Sequence, residues 1–175
     1  DVARGDELVA AGTRLTPAHI GLLSAAGVAE VGVRPRPRVL LITTGDELAS
    51  PGQSRGAGQI FDANTPMLAA LLRAAGAVVT ARRVSDDVAA LHDLLRSEAP
   101  RHDLVITSGG ISAGAFEVVR LAGAEFGVQF GAVALQPGGP QGWGEIHHRN
   151  GATPIFCMPG NPVSSYVSFE VFLRP

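Results

Sequence analysis

Residues 104–114 read LVITSGGISAG, an apolar run that leads directly into a loop of glycines and hydroxyl side chains. We predict a strand at 104–107, because strands buried on both faces carry nearly continuous apolar sequence. A loop of this kind, placed between a strand and a helix, presents backbone N–H groups to a bound anion. It contains neither the Gly-Lys-Ser/Thr of a Walker loop nor a dinucleotide fingerprint. The stretch therefore predicts a phosphate-type site, and a tight turn that merely needs glycines is the alternative.

Predicted strands and helices alternate on both sides of this stretch. Strands are expected at 39–43, 78–84, 104–107, 129–135, 145–148 and 154–158, and helices at 67–75, 88–98, 116–126 and from 161 onward. Asn150-Gly151 is typical of a hairpin turn. This alternation predicts a three-layer α/β/α domain with a mostly parallel sheet. Such sheets bind ligands beyond the carboxyl ends of their strands, so the loops that follow the strands are the expected site.

The first part of the chain has a different character. Thr16-Pro17 is typical of a helix start, with a hydroxyl cap followed by proline at the first helical position, and Gly27 is the expected stop. Arg34-Pro35-Arg36-Pro37 predicts a stiff, extended linker. We therefore expect residues 1–36 to be a short segment of a neighbouring linker or β domain, and residues 37–175 to form the main domain.

Composition narrows the class of protein. Apolar residues make up 46% of the chain, but they form no continuous run of transmembrane length. The N-terminus lacks the apolar segment of a signal peptide. Both observations favour a cytoplasmic protein with no membrane partner. The net charge is −2 and all fourteen basic residues are arginine. This balance argues against nucleic-acid binding, which needs a concentrated basic face.

Carboxylates stand in the segments that follow two of the predicted strands, 39–43 and 78–84. Asp46-Glu47 indicates either a solvated turn or a metal or acid/base site, and both interpretations stay open. Helix capping is the simpler interpretation of Asp62 and Asn64, with Asn64 or Thr65 as the cap, and a place on the crevice rim is the other. In Asp86-Asp87 one aspartate is expected to cap the next helix, which leaves the other free to face the crevice.

Two loops rich in proline and glycine, at 136–140 and 158–165, follow later apolar runs. Each could be a plain turn. Two rigid loops beside a phosphate-type loop better fit a shaped pocket for a large ligand.

Taken together and in order, six motifs resemble the molybdopterin molybdenumtransferase family, which includes MoeA and the gephyrin E-domain. The similarity runs from about Arg38 to the end of the chain and extends backward through residues 11–15. The motifs are Thr44-Gly45-Asp46-Glu47-Leu48, Ile60-x-Asp62-x-Asn64, Asp86-Asp87, Thr107-Ser108-Gly109-Gly110-Ile111-Ser112-x-Gly114, Pro137-Gly138-x-Pro140 and Pro159-Gly160-Asn161-Pro162-Val163-Ser164.

The resemblance implies a fold and an activity. The domain would share the fold of the MogA/MoaB-type cofactor proteins. Its ligands would be adenylylated molybdopterin (molybdopterin-AMP) and molybdate. The reaction would insert molybdenum into the dithiolene and release AMP, and Mg²⁺ would assist it. Family members work as homodimers in which another domain of the partner subunit completes the site. They also carry a C-terminal β domain, which would be absent from this chain.

Carried over position by position, the resemblance assigns roles to individual residues. Glu47, Asp86 and Glu117 would be the catalytic carboxylates and would hold the Mg²⁺. The remaining positions would bind substrate: Thr44, Gly45, Asp46, Asp62, Asn64, Thr107, Ser108, Gly109, Gly110, Ser112, Gly114, Pro137, Gly138, Pro159, Gly160, Asn161, Pro162 and Ser164.

Three positions depart from the family pattern. Glu117 stands where the family has aspartate, and Gln136 and Gly139 stand where it has lysines that would face phosphate. The retained carboxylates favour a catalytic domain. The lost lysines favour two alternatives, a divergent paralogue that acts on another nucleotide-pterin ligand or a non-catalytic binding or scaffold domain.

Overall fold

The computed structural model describes residues 2–112 and 117–175. The chain divides into two compact units, Asp1–Pro35 and Arg36–Pro175. In the first unit, helix α1 spans Pro17–Ala25 and is capped by Thr16, whose hydroxyl oxygen accepts a hydrogen bond from the His19 N–H. None of the residues of α1 is buried, and Ile20 is 57% exposed.

The second unit is built on one six-stranded sheet of order β4-β1-β5-β8-β7-β6. Strands β4, β1, β5 and β8 run parallel, and β7 is antiparallel to both β8 and β6. Strands β2 and β3 form a separate parallel pair. The strands are β1 Arg38–Thr44, β2 Leu48–Ala49, β3 Ile60–Phe61, β4 Val78–Val84, β5 Leu104–Ser108, β6 Gln129–Ala132, β7 Pro140–His148 and β8 Gly151–Met158.

Helices cover both faces of the sheet, and alternate residues of the buried strands face them. Leu40 and Ile42 of β1 pack with the helices on one side, and Val39 and Leu41 with those on the other. The helices are α2 Asn64–Ala74, α3 Val88–Glu98, α4 Val118–Glu125 and α5 Pro162–Ser168, and α5 continues into a wider turn at Phe169–Leu173. The predicted three-layer α/β/α fold with a mostly parallel sheet is confirmed.

Several predicted boundaries are wrong. The strand expected at 145–148 begins at Pro140, the one expected at 129–135 ends at Ala132, and β2 and β3 were not predicted. Two-residue strands are too short to carry a periodic signal, and Gly142 and Gly144 interrupt the apolar pattern of β7. The predicted hairpin is confirmed, but its turn lies one residue earlier than expected, at Arg149-Asn150, because Gly151 already belongs to β8 and pairs with His148. No helix in the described part of the chain is long and apolar enough to span a membrane.

Candidate functional site

A cleft of about 590 Å³ opens at the carboxyl ends of the parallel strands. The loops after β1, β5 and β8 line it, together with β3, the start of α2 and Asp86 after β4. This is where the strand-end argument placed the site. Of the predicted site residues, the cleft brings together Thr44, Gly45, Glu47, Asp62, Asn64, Asp86, Ser108, Gly109, Gly110, Ser112, Glu117, Pro159, Gly160, Asn161 and Pro162.

The glycine loop after β5 packs so tightly that it requires glycine. Gly110 has a φ of +65°, and a Cβ placed on it would lie 2.9 Å from Val119 Cγ2 and 3.0 Å from Thr44 Oγ1. Gly109 has a φ of +97°, and its N–H donates to the Met158 carbonyl, so this group is not free for an anion. The Thr44 hydroxyl is buried, with no hydrogen-bond partner among the described residues. The loop therefore lies directly against the end of β1 and the start of α4.

Asn64 connects this loop to the Pro-Gly-Asn-Pro loop after β8. Its side-chain amide donates to Ser108 Oγ at 2.9 Å and to the Gly160 carbonyl at 2.7 Å. The two loops also touch directly, since a Cβ on Gly160 would lie 3.3 Å from the Gly109 Cα. Asn64 thus sets the width of the cleft at this point.

The predicted cap of α2 is wrong in detail. Neither Asn64 nor Thr65 caps this helix, which begins at Asn64 itself. Asp62 takes over the role, because its buried carboxylate accepts hydrogen bonds from the Thr65 N–H at 2.9 Å and from the Thr65 hydroxyl. At α3 the expectation is confirmed, since the Asp87 carboxylate accepts from the N–H groups of Ala89 and Ala90. Asp86 is left to line the cleft.

The carboxylates of the cleft do not converge on one point. The Glu47 carboxylate folds back over Gly45, with Oε2 2.7 Å from where a Cβ would stand. Asp86 is held by Asp46 in a reciprocal pair, in which each backbone N–H donates to the other's carboxylate at 3.2 Å. Among the described residues, no group of three His, Cys, Asp or Glu side chains is placed to hold a metal ion. The assignment of a shared Mg²⁺ to Glu47, Asp86 and Glu117 stays a prediction.

The charge of the cleft has one sign. Glu47, Asp62, Asp86 and Glu117 line it, and the described lining contains no arginine or histidine. Gln136 and Gly139, at the positions where the resemblance implies lysines, add no cation. A phosphate-bearing ligand would therefore meet backbone and hydroxyl donors beside carboxylates.

Some predicted site residues lie elsewhere. Asp46, Thr107, Pro137, Gly138 and Ser164 are not part of the cleft lining, and Gly114 lies outside the described residues. Thr107 is fully buried in β5, next to Cys157. Burial raises the pKa of the Cys157 thiol to about 12, outweighing the opposite effect of Thr107, so this thiol is not a nucleophile.

The remaining displaced residues have structural roles. The Gly138 carbonyl accepts from the buried Gln141 amide at 2.8 Å, and the same amide donates to Ser168 Oγ at 2.7 Å. The Ser164 N–H donates to the Asn161 side chain, which caps α5. These contacts turn Gly138 and Ser164 toward the protein, so Pro140 is the residue of the 136–140 loop that reaches the cleft.

Sequence reasoning missed the apolar wall of the cleft. Ile60 and Phe61 line it and are 52% and 48% exposed. The signal was present, because two large apolar residues directly before the Asp62 motif are unusual at an exposed position unless something packs on them.

Three comparisons with known proteins bear on this site. Residues 40–175 match a family described as "Probable molybdopterin binding domain". The chain is 51% identical to molybdopterin molybdenumtransferase 2 of Mycobacterium tuberculosis over its whole length, which is 44% of that protein. The chain thus spans less than half the length of this curated relative.

The fold comparison agrees. The crystal structure of the molybdopterin biosynthesis MoeA protein from Pyrococcus horikoshii has a TM-score of 0.80 and 31% identity, covering 96% of this chain and 41% of that one. The tungsten cofactor synthesizing protein MoaB from Pyrococcus furiosus shares the fold, with a TM-score of 0.55 and 18% identity over 79% of this chain and 91% of that one. The chain therefore belongs to the molybdopterin-binding domain family, in the form in which that domain occurs in molybdopterin molybdenumtransferases.

Proposed function

We propose that this chain supplies the substrate cleft of a protein that inserts molybdate into adenylylated molybdopterin and releases AMP. The observation that carries the proposal is the junction of the glycine loop after β5 with the Pro-Gly-Asn-Pro loop after β8, bridged by Asn64 over one cleft. The cleft volume of about 590 Å³ suits a ligand of nucleotide-pterin size.

Neutral donors bind the phosphate in this proposal. Ser112 is exposed on the loop after β5, where α4 begins six residues later, and helix starts of this kind favour anions. Ile60 and Phe61 provide an apolar wall for the planar pterin. The rigid Pro159–Pro162 loop fixes the opposite side, because Asn161 caps α5 and Pro159 accepts from Ser165 Oγ at 2.5 Å.

The carboxylates act on protons rather than on phosphate. When both dithiol sulfurs bond to molybdenum, their two S–H protons convert one molybdate oxygen into the water that departs, and AMP release consumes one further water molecule, which replaces AMP on the molybdopterin phosphate. Each thiol proton therefore has to be carried from sulfur to the departing oxygen. Glu47 and Asp86 are exposed and line the cleft, so either can accept that proton and pass it on. No step is assigned to Mg²⁺, since the described carboxylates form no three-ligand group.

The lack of positive charge in the described lining of the cleft indicates that another subunit takes part in binding the ligand. A ligand that carries a phosphate is repelled by four carboxylates unless a cation is supplied from outside the described lining. We propose that a second subunit of a homodimer contributes it in the complete protein.

The enzymatic proposal is tested by AMP release. Adenylylated molybdopterin is incubated with the full-length protein that carries this sequence, with and without molybdate, and AMP is quantified by chromatography. We expect molybdate to increase AMP release and Glu47→Gln to lower the rate at least tenfold. Release that does not respond to molybdate would contradict the proposed reaction.

A divergent nucleotide-pterin ligand is the second candidate, and the acidic cleft is the observation that favours it. With Gln136 and Gly139 in place of lysines, the cleft disfavours a highly charged diphosphate more than a less charged ligand. The same assay separates the two candidates, since the divergent paralogue would bind a pterin without releasing AMP.

A further inference from the structure

A second cavity, of about 660 Å³, lies at the edge of the sheet opposite the cleft. Strand β7 runs antiparallel to β8, so its carboxyl end at His147 and His148 lies away from the carboxyl ends of the parallel strands. Helices α3 and α4 supply the other walls. This cavity therefore shares no lining residue with the cleft.

Two arginines and one glutamate give this cavity a net positive charge, whereas the charged side chains of the cleft lining are all carboxylates. Arg96 on α3 and Arg149 after β7 line it, and both are exposed and form no ion pair with a described residue. By contrast Arg38, Arg101 and Arg174 each pair with a carboxylate.

The acidic group of this cavity already has a partner. Glu125 lies 3.2 Å from Nε2 of His92, and Asp93 lies 3.8 Å from Nδ1 of the same ring. His148 is occupied as well, because its ring contacts Thr153 Oγ1 at 3.2 Å and accepts from the Asn150 N–H at 3.4 Å. The cationic groups left for a ligand are the two guanidinium groups, with the exposed His147 ring beside them.

The walls are held in place by packing. The His92 ring stacks on Phe126 with centroids 4.8 Å apart and an interplanar angle of 20°. Ile146, at 1% exposure, anchors the strand end that carries His147. The helix that carries Arg96 and the strand end before Arg149 are therefore both packed against the rest of the domain.

We propose that this cavity is a second binding site, for the dianionic phosphate group of a small molecule, held by Arg96 and Arg149. Guanidinium groups match phosphate oxygens in charge and geometry and can bind them through two parallel hydrogen bonds. A phosphate between the two arginines also removes the repulsion between like charges that face the same cavity. The chain as a whole carries −2, so the positive potential here is local.

The test is a titration of the ¹⁵N-labelled chain with inorganic phosphate at constant ionic strength, followed by NMR. We expect saturable shifts of the amides at 92–96 and 147–149. The double variant Arg96→Gln/Arg149→Gln should bind phosphate at least about tenfold more weakly, because both charged hydrogen-bond donors are lost. Arg82→Gln is the matched control, since Arg82 is exposed on β4 and lines neither cavity.

The possible outcomes are distinct. Shifts confined to Gly109, Gly110 and their neighbours would place phosphate in the cleft only and overturn the proposal. Unchanged affinity in the double variant, or an equal loss in Arg82→Gln, would overturn it as well. Amides far from both cavities report whether each variant is folded.

Discussion

Replacing Gly110 by alanine tests whether the glycine loop is as tightly packed as the structure indicates. A φ of +65° costs an L-residue about 1–2 kcal/mol. The new Cβ would also lie 3.0 Å from the Val119 backbone nitrogen, which cannot rotate away. Overpacking of this kind costs about 1–3 kcal/mol. We therefore expect Gly110→Ala to lower the free energy of unfolding by about 2–5 kcal/mol.

Gly127→Ala is the matched control for this measurement. Gly127 has a similar φ of +77°, but a Cβ there would meet no atom within 4 Å. The control should lose only the backbone contribution of about 1–2 kcal/mol. Urea denaturation of both variants, followed by circular dichroism, gives the two values. Equal losses would refute the argument that the loop packs against β1 and α4.

Three further predictions follow from the same structure. Asn64→Leu should destabilise the protein by about 1–3 kcal/mol in urea, because the hydrogen bonds from its amide to Ser108 Oγ and to the Gly160 carbonyl are both lost, and destabilisation below ~0.5 kcal/mol would contradict the bridge. The Cys157 thiol keeps its proton in the folded state up to about pH 12, whereas an unfolded thiol loses it near pH 9. The contribution of this thiol to the free energy of unfolding is therefore complete below pH 9 and decreases as the pH rises. The difference in the free energy of unfolding between the wild type and Cys157→Ala should shrink by about 1.4 kcal/mol for each pH unit above pH 9. If Glu47, Asp86 and Glu117 share one Mg²⁺ ion, millimolar Mg²⁺ should raise the melting temperature of the wild type and raise it less in Glu47→Gln, and two unchanged melting curves would contradict the shared site.

Sequence reasoning predicted the elements whose pattern is strong. The bounds expected for the second strand and the amphipathic helix after it, 78–84 and 88–98, are those of β4 and α3. Their apolar periodicity and the Asp87 cap are local features that the sequence displays directly. Strand β7 was only partly predicted, because its buried Gln141 and its glycines are compatible with a strand only through pairing with β6 and β8.

The same distinction applies to the site. The order of the motifs predicted which loops meet, since parallel strands place their carboxyl ends together. Side-chain direction was not predictable. Asp62 turns back to cap α2, Thr107 points into the core beside Cys157, and Glu47 folds over Gly45. The direction of each side chain depends either on a neighbour that is distant in the sequence or on a local contact that turns the side chain away from the cleft.

The most direct test of the central claim is calorimetric titration of the full-length protein that carries this sequence with adenylylated molybdopterin, with AMP as the reference ligand. We predict saturable binding of adenylylated molybdopterin, weaker binding of AMP, and at least a tenfold loss of affinity in Gly110→Ala but not in Gly127→Ala. Binding that is equally strong in Gly110→Ala, or no binding of adenylylated molybdopterin to the folded full-length protein, would contradict the account.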